Sequence, residues 1–318
     1  MHQAVLSGVG QTFLVAAVGL IGRLLGIINE QTLRHLTRIT VALLLPCFLF
    51  EAVQRSFSWG EVSSYGLMIL AAFGLLAVGL ALAWVGAHAL GLGARDRHTT
   101  MALCGFNNSV NIPVPLAMAL LSTADADRMV VLFTIYNLVW GPLMWSLGVW
   151  LIAKNGDGET RRSVWGMLIT PPGVAILIGV LAQCPGVIRV TTHPAMGTLH
   201  GALTWTGEAA IPMCLLILGG IIGGLLRRMS FHWRVVGLTA VVKLLAVPAI
   251  VWLTLRLGPS LEPLVALALM MQAASPPATN LAIIAEHWGG DIDTVGATIL
   301  VTYLLSLAGF ALWLGVLL

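Results

Sequence analysis

Charged residues are what this chain has least of. Asp, Glu, Lys and Arg make up 9% of its 318 residues, against roughly 25% in an ordinary soluble domain. With 58% apolar residues and a mean hydropathy of +0.95, that scarcity excludes a soluble enzyme, a coiled coil and a disordered chain. The 16 basic and 13 acidic residues leave a net charge of +3, too small and too dispersed for a phosphate-binding surface, so nucleic acid is excluded as a partner. Cysteine is also sparse. The four residues, at positions 47, 104, 184 and 214, share no short spacing and sit among aliphatic neighbours, so neither a zinc site nor a disulfide framework is suggested. No His-Glu-x-x-His motif or paired membrane aspartates occur, and no metal, cofactor or enzymatic role is expected. The N-terminus lacks the basic cluster of a secretory signal and no lipidation pattern is present, so the expected membrane association is by spanning.

What is abundant is apolar sequence in runs long enough to cross a bilayer, which takes about 20 residues. Polar or Gly/Pro-rich punctuation divides the chain into ten such runs, near 4–27, 33–54, 62–92, 98–121, 129–153, 165–185, 200–226, 233–257, 261–286 and 293–317. The expected fold is an all-α polytopic membrane protein with ten transmembrane helices. Basic residues orient it. One set of connections carries Arg23, Arg34, Arg38, Arg95, Arg97, Lys154, Arg161, Arg162, Arg227, Arg228 and Arg234; the opposite set carries only Arg55, Arg128, Arg189 and Arg256. The richer side is expected in the cytoplasm, which leaves both termini outside.

The two halves echo one another. Span two contains Leu45-Pro46-Cys47-Phe48-Leu49 and span seven Ile211-Pro212-Met213-Cys214-Leu215, while spans four and nine carry Pro113/Pro115 and Pro276/Pro277. From Pro46 to Pro113 is 67 residues and from Pro212 to Pro276 is 64. Two five-span halves must lie upside down relative to each other, the inverted repeat of secondary transporters. Two prolines within three residues break a helix, so spans four and nine are expected as half-helices joined by extended backbone at a crossing. Polar residues crowd these breaks. Asn107, Asn108, Ser109, Asn111 and Pro113 mark the first, and Ser275, Pro276, Pro277, Thr279 and Asn280 the second; together they are the candidate substrate site. Amides and hydroxyls can partner the freed backbone, and a half-helix N-terminus suits a carboxylate. Repair of a kink is the competing explanation for either break alone; the matched pair favours a midplane site.

Lys243 falls in the middle of span eight, where an unpaired ammonium costs at least ~2.5 kcal/mol. It reads either as electrostatic support for the crossing or an anion attractor, or as a structurally paired or snorkelling lysine. Glu208 and His88 are candidate proton-coupling groups, with an interfacial position as the other reading of each. Trp140 and Trp145, deeper in span five, read as core packing, with a place beside a site as the alternative.

At these residues the sequence resembles the auxin efflux carrier family, which includes the PIN and PIN-like proteins and is related to bile-acid/sodium symporters. The resemblance runs from Gly19-Leu20-Ile21 and Leu44-Leu45-Pro46-Cys47-Phe48-Leu49-Phe50 through Asn108-Ser109-Val110-Asn111-Ile112-Pro113-Val114-Pro115 to Met271–Asp291, and covers essentially the whole chain. It implies a scaffold of residues 1–57 and 164–229, a moving transport domain of 58–153 and 230–318, and a cytoplasmic linker at 154–163. It also implies an elevator mechanism for a small organic anion, with Asn111, Pro113 and Pro276 bordering the substrate, and a homodimer through the scaffold in a bacterial inner membrane. Span three lacks the acidic and basic pair that supports the crossing in some plant members, offering only His88. Two alternatives remain: a sodium-coupled symporter of the bile-acid type, and a sensor that binds a ligand or lipid without moving it.

Overall fold

Lipid offers no partner to a backbone N–H or C=O, so a chain this apolar satisfies those groups within helices. The computed structural model describes residues 2–153, 171–183, 196–226 and 232–317, and among these it is helical with no strand. The helices are α1 His2–Leu24, α2 Glu30–Ile39, α3 Leu45–Ser56, α4 Val62–Ala89, α5 Ala94–Gly105, α6 Pro113–Leu120, α7 Thr123–Leu143 and α8 Val149–Ala153. After the expected linker come α9 Pro171–Leu181, α10 Gly197–Glu208, α11 Ala210–Leu225, α12 Trp233–Val241, α13 Val247–Leu257, α14 Pro263–Ala274, α15 Asn280–His287 and α16 Ile292–Leu317. The linker 154–163, Cys184, and basic residues Lys154, Arg161, Arg162, Arg189, Arg227 and Arg228 lie outside the described residues.

Several of these helices join end to end. Wide π turns at Thr40–Leu44, Met144–Gly148 and Val242–Ala246 link α2 to α3, α7 to α8 and α12 to α13. Two of them precede Pro46 and Pro248, where the ring removes a donor and crowds the carbonyl four residues back; widening the turn relieves both. Six continuous stretches among the described residues are long and apolar enough to cross a membrane: Glu30–Ser56, Trp59–Ala89, Thr123–Ile152, Gly197–Gly224, Trp233–Leu257 and Ile292–Leu317. The shortest, of 25 residues, reaches about 37 Å at 1.5 Å per residue, beyond the ~30 Å hydrocarbon layer. The other four expected spans correspond to α1, the interrupted pairs α5/α6 and α14/α15, and α9, around which only residues 171–183 are described.

Glycines set the closest helix contacts. A Cβ at Gly219 would lie 1.8 Å from the Ala16 carbonyl oxygen, and one at Gly19 would lie 2.1 Å from that of Leu216. Helices α1 and α11 therefore meet backbone to backbone, the packing that small residues permit in lipid. Elsewhere α3 packs against α7, α9 and α10, and α14 against α13, α16 and α7. Arg128 on α7 ties three elements at one end of the molecule. It reaches Glu61, just before α4, at 2.9 Å and grips Glu262, just before α14, through two nitrogens, one at 2.6 Å.

Substituting Gly219→Ala forces the α1–α11 backbones apart, an overpacking cost of about 1–3 kcal/mol. A thermal melt of the purified protein should fall by several degrees, whereas Gly74→Ala, whose Cβ would meet nothing within 4 Å, should leave it level or slightly raised.

Candidate functional site

The prolines decide where the two interrupted helices stop. A residue before proline is pushed out of helical geometry, and Ser275 is extended, with φ −68° and ψ 136°, ending α14. Pro113 stands in the first turn of α6, where its missing donor costs nothing. The turn before α6 is closed by Asn108, whose Oδ1 accepts from the Asn111 amide at 2.8 Å. Between α5 and α6, and again between α14 and α15, the chain runs extended, and the two extended pieces pair with each other. Asn107 and Pro277 lie opposite in antiparallel register. The Asn108 amide donates to the Pro276 carbonyl at 2.7 Å, and the Ala278 amide donates to the Phe106 carbonyl at 2.9 Å. Each break thereby satisfies groups that the other leaves free.

Buried side chains fix this crossing. The Asn107 amide donates to Gln272 Oε1 at 2.8 Å and its oxygen accepts from the Tyr136 hydroxyl at 3.0 Å. Its main-chain carbonyl accepts from the Trp140 indole at 3.2 Å, and Gln272 Nε2 donates to the Ser109 carbonyl at 3.0 Å. Asn108 Nδ2 donates to the Tyr303 hydroxyl. Ser109 Oγ donates to Asn137 Oδ1 at 2.6 Å, and Asn111 Nδ2 donates to Thr279 Oγ1 at 3.4 Å.

Beside the crossing is a cavity of about 90 Å³, room for about three waters at ~30 Å³ each. Of the sequence-predicted residues, Asn107, Asn108, Ser109, Asn111, Thr279 and Asn280 line it. Pro113, Ser275, Pro276 and Pro277 do not; they shape the breaks behind it, and the Ser275 hydroxyl donates to the Met271 carbonyl of its own helix at 2.7 Å. The wall that sequence reasoning missed comes from the long helix of span five, namely Asn137, Gly141 and Met144, with Trp140, which is lining as well as packing. An amide in an apolar run, Tyr136-Asn137-Leu138, was the available signal for it. No residue of the lining is ionised.

The ionisable candidates lie elsewhere. Lys243 is buried, 3% exposed, on the π turn after α12. Its charge acts on Cys104, next to last in α5, and it makes no salt bridge among the described residues. It therefore stands near the carbonyl end of a broken half-helix, outside the cavity lining. His88 is exposed, bonded through its ring to the Trp84 carbonyl at 2.8 Å and to Arg97 at 3.1 Å. Glu208 is exposed at the end of α10.

A helical membrane protein whose two interrupted helices meet over a small polar cavity is built to move or hold a solute, and comparison with known proteins gives the class: a membrane transporter. The chain belongs to the membrane transport protein family, the auxin efflux carrier family, whose sequence pattern matches residues 4–314. It is 25% identical over 301 residues to an uncharacterized transporter of Methanothermobacter thermautotrophicus, covering 93% of each chain. Over 110 residues it is 30% identical to a Rhizobium meliloti protein provisionally named a malonate transporter, covering 35% of this chain and 34% of that one. Over 154 residues it is 25% identical to protein PIN-LIKES 7 of Arabidopsis thaliana, covering 46% and 39%.

The network singles out Gln272 over its neighbour in the break. Gln272→Leu orphans the Asn107 amide and the Ser109 carbonyl, at about 1–3 kcal/mol each, and should lower the melting temperature markedly. Ser275→Ala removes only a bond within α14 and should change it little.

Proposed function

We propose that this protein is a secondary carrier of a small organic anion, seated at the crossing and moved by an elevator mechanism. The observation that carries the reading is the paired break itself, with polar main chain and uncharged amides opening on one small cavity. Both α6 and α15 begin at the cavity wall, beside Asn111 and at Asn280, and a helix N-terminus favours negative charge. The size of the cavity suits a short-chain carboxylate and is far too small for a sterol. Malonate, named for one relative, is of that size.

In this reading the ten spans form two inverted five-helix repeats. Residues 1–57 and 164–229 are the scaffold, through which two copies pair, and 58–153 and 230–318 carry the cargo past it. The protein sits in a bacterial inner membrane with both termini outside. Lys243 supports the moving part by opposing the carbonyl end of α5. Glu208 and His88, both exposed and neither lining the cavity, are the least supported proton-coupling candidates.

The test is [14C]malonate counterflow in proteoliposomes. Asn111→Ala and Asn137→Ala each remove a lining amide and should raise the half-saturation concentration about tenfold, worth about 1.4 kcal/mol of binding. Lys243→Met should abolish flux in a protein that still inserts; unchanged kinetics would remove Lys243 from the mechanism. Uptake that requires a sodium gradient would make this frame a sodium-coupled symporter. Binding without counterflow would make it a sensor, and stabilisation by an amine or a sterol but by no carboxylate would end the anion reading.

A further inference from the structure

A second polar cluster is buried where α3 meets α7, α9 and α10. Glu51 and Asp127 are its acids, with side chains 2% and 4% exposed. Glu51 Oε1 lies 3.0 Å from His200 Nδ1 of α10, and Asp127 Oδ2 lies 3.0 Å from Arg55 Nε of α3. Gln54, one turn on from Glu51, donates through Nε2 to the Gly179 carbonyl of α9 at 2.7 Å. Each of these three residues is left with an oxygen that finds no partner among the described residues: Glu51 Oε2, Gln54 Oε1 and Asp127 Oδ1 are buried without a hydrogen bond there. The set is therefore three acceptors short of a donor, and a buried acceptor left bare is costly.

Charge gives the same answer as hydrogen bonding. Asp127 faces the Arg55 guanidinium while Glu51 faces the His200 imidazole, so with that ring neutral one negative charge stays uncompensated in a buried site, which is unfavourable. The Glu51 charge acts on Asp127 and on Cys47, one turn earlier on α3. Among the described residues, α9, Pro171–Leu181, adds no titratable group, and Arg128, beside Asp127, is engaged by Glu61 and Glu262. One hydrogen ion cancels the excess charge and supplies a donor to one of the three bare acceptors. A metal cation would cancel the charge too, but it would sit against the fixed charge of Arg55. His200 and Arg55 are partly exposed, 30% and 37%, and form the cluster's edge.

We propose that Glu51 and Asp127 hold one exchangeable proton between α3, α7 and α10, with His200 as its entry, and that transport draws on this proton. The second half rests on the carrier reading above. There α3 and α10 belong to the scaffold and α7 to the moving part, so the Arg55–Asp127 bridge spans the sliding contact. A proton on Asp127 removes the charge that holds Arg55, and its loss restores the bridge.

The two halves are tested separately on the full chain. Infrared spectra of the purified protein at about pH 6, well above the ~4 at which exposed carboxyls titrate, should contain a carboxylic-acid C=O band that shifts in D₂O. Glu51→Gln or Asp127→Asn should remove it. Absence of the band in the unmodified protein overturns the proton site whatever the variants do, as does its persistence in both variants, and a charged His200 in place of a protonated carboxyl would give no band. In proteoliposomes, an inward proton gradient should drive [14C]malonate accumulation, and Asp127→Asn should lose that accumulation while keeping malonate exchange. Accumulation by Asp127→Asn equal to that of the unmodified protein, or driven by sodium instead, overturns the coupling. Failure of the unmodified protein to exchange any small carboxylate defeats the carrier reading and with it the coupling, while the infrared result still decides the proton site.

Discussion

Two backbone hydrogen bonds between segments some 170 residues apart in sequence hold the centre of this molecule together: Asn108 to Pro276 and Ala278 to Phe106. Neither interrupted helix is tolerable alone in lipid, because each break frees amides and carbonyls that hydrocarbon cannot satisfy. Laid antiparallel, the two breaks solve one another's deficit. The position of everything else near the cavity follows from that pairing. Gln272 reaches across to Asn107 and Ser109, Tyr303 rises from α16 to Asn108, and Tyr136 and Trp140 close over Asn107 from α7.

The pairing also explains why the site is polar without being charged. Main-chain groups need partners that both donate and accept, and amides and hydroxyls do so without the desolvation cost of an ion. Charge is kept to the periphery of the crossing. Lys243 sits near the end of α5, Arg128 clasps Glu61 and Glu262 at the ends of α4 and α14, and Glu51 and Asp127 lie where α3 meets α7 and α10, none of them in the cavity lining. Rigidity is distributed in a comparable way. The α1–α11 contact has no side chains between its backbones at Gly19 and Gly219, whereas the crossing is held by hydrogen bonds that side chains complete.

Much of this was legible in the sequence, because proline and amide residues carry local meaning that context cannot override. Pro113/Pro115 and Pro276/Pro277 marked the breaks, and six of the ten residues picked out around them line the cavity. The other four are the prolines and Ser275, whose part is to end or start a helix, and nothing in composition separates a residue that shapes a wall from one that forms it. Asn137 and Gly141 were not found because their contribution depends on how α7 packs against the crossing, a tertiary fact. The π turns were equally hidden: one extra residue in a turn leaves the hydropathy of a span unchanged. Glu51 and Asp127 escaped notice because each lies close to the end of an apolar run, where a carboxylate ordinarily meets water; only the packing of α3, α7, α9 and α10 puts them inside.

The uncharged lining has one more consequence. In the proposed carrier, an anion held only by dipoles keeps its full valence as it crosses, with no fixed countercharge on the lining to mask it. Membrane voltage then acts on it directly, at about 2.3 kcal/mol per elementary charge for every 100 mV. With the interior negative, that force pushes an anion outward, so export runs downhill electrically and import of the same ion must draw on another gradient.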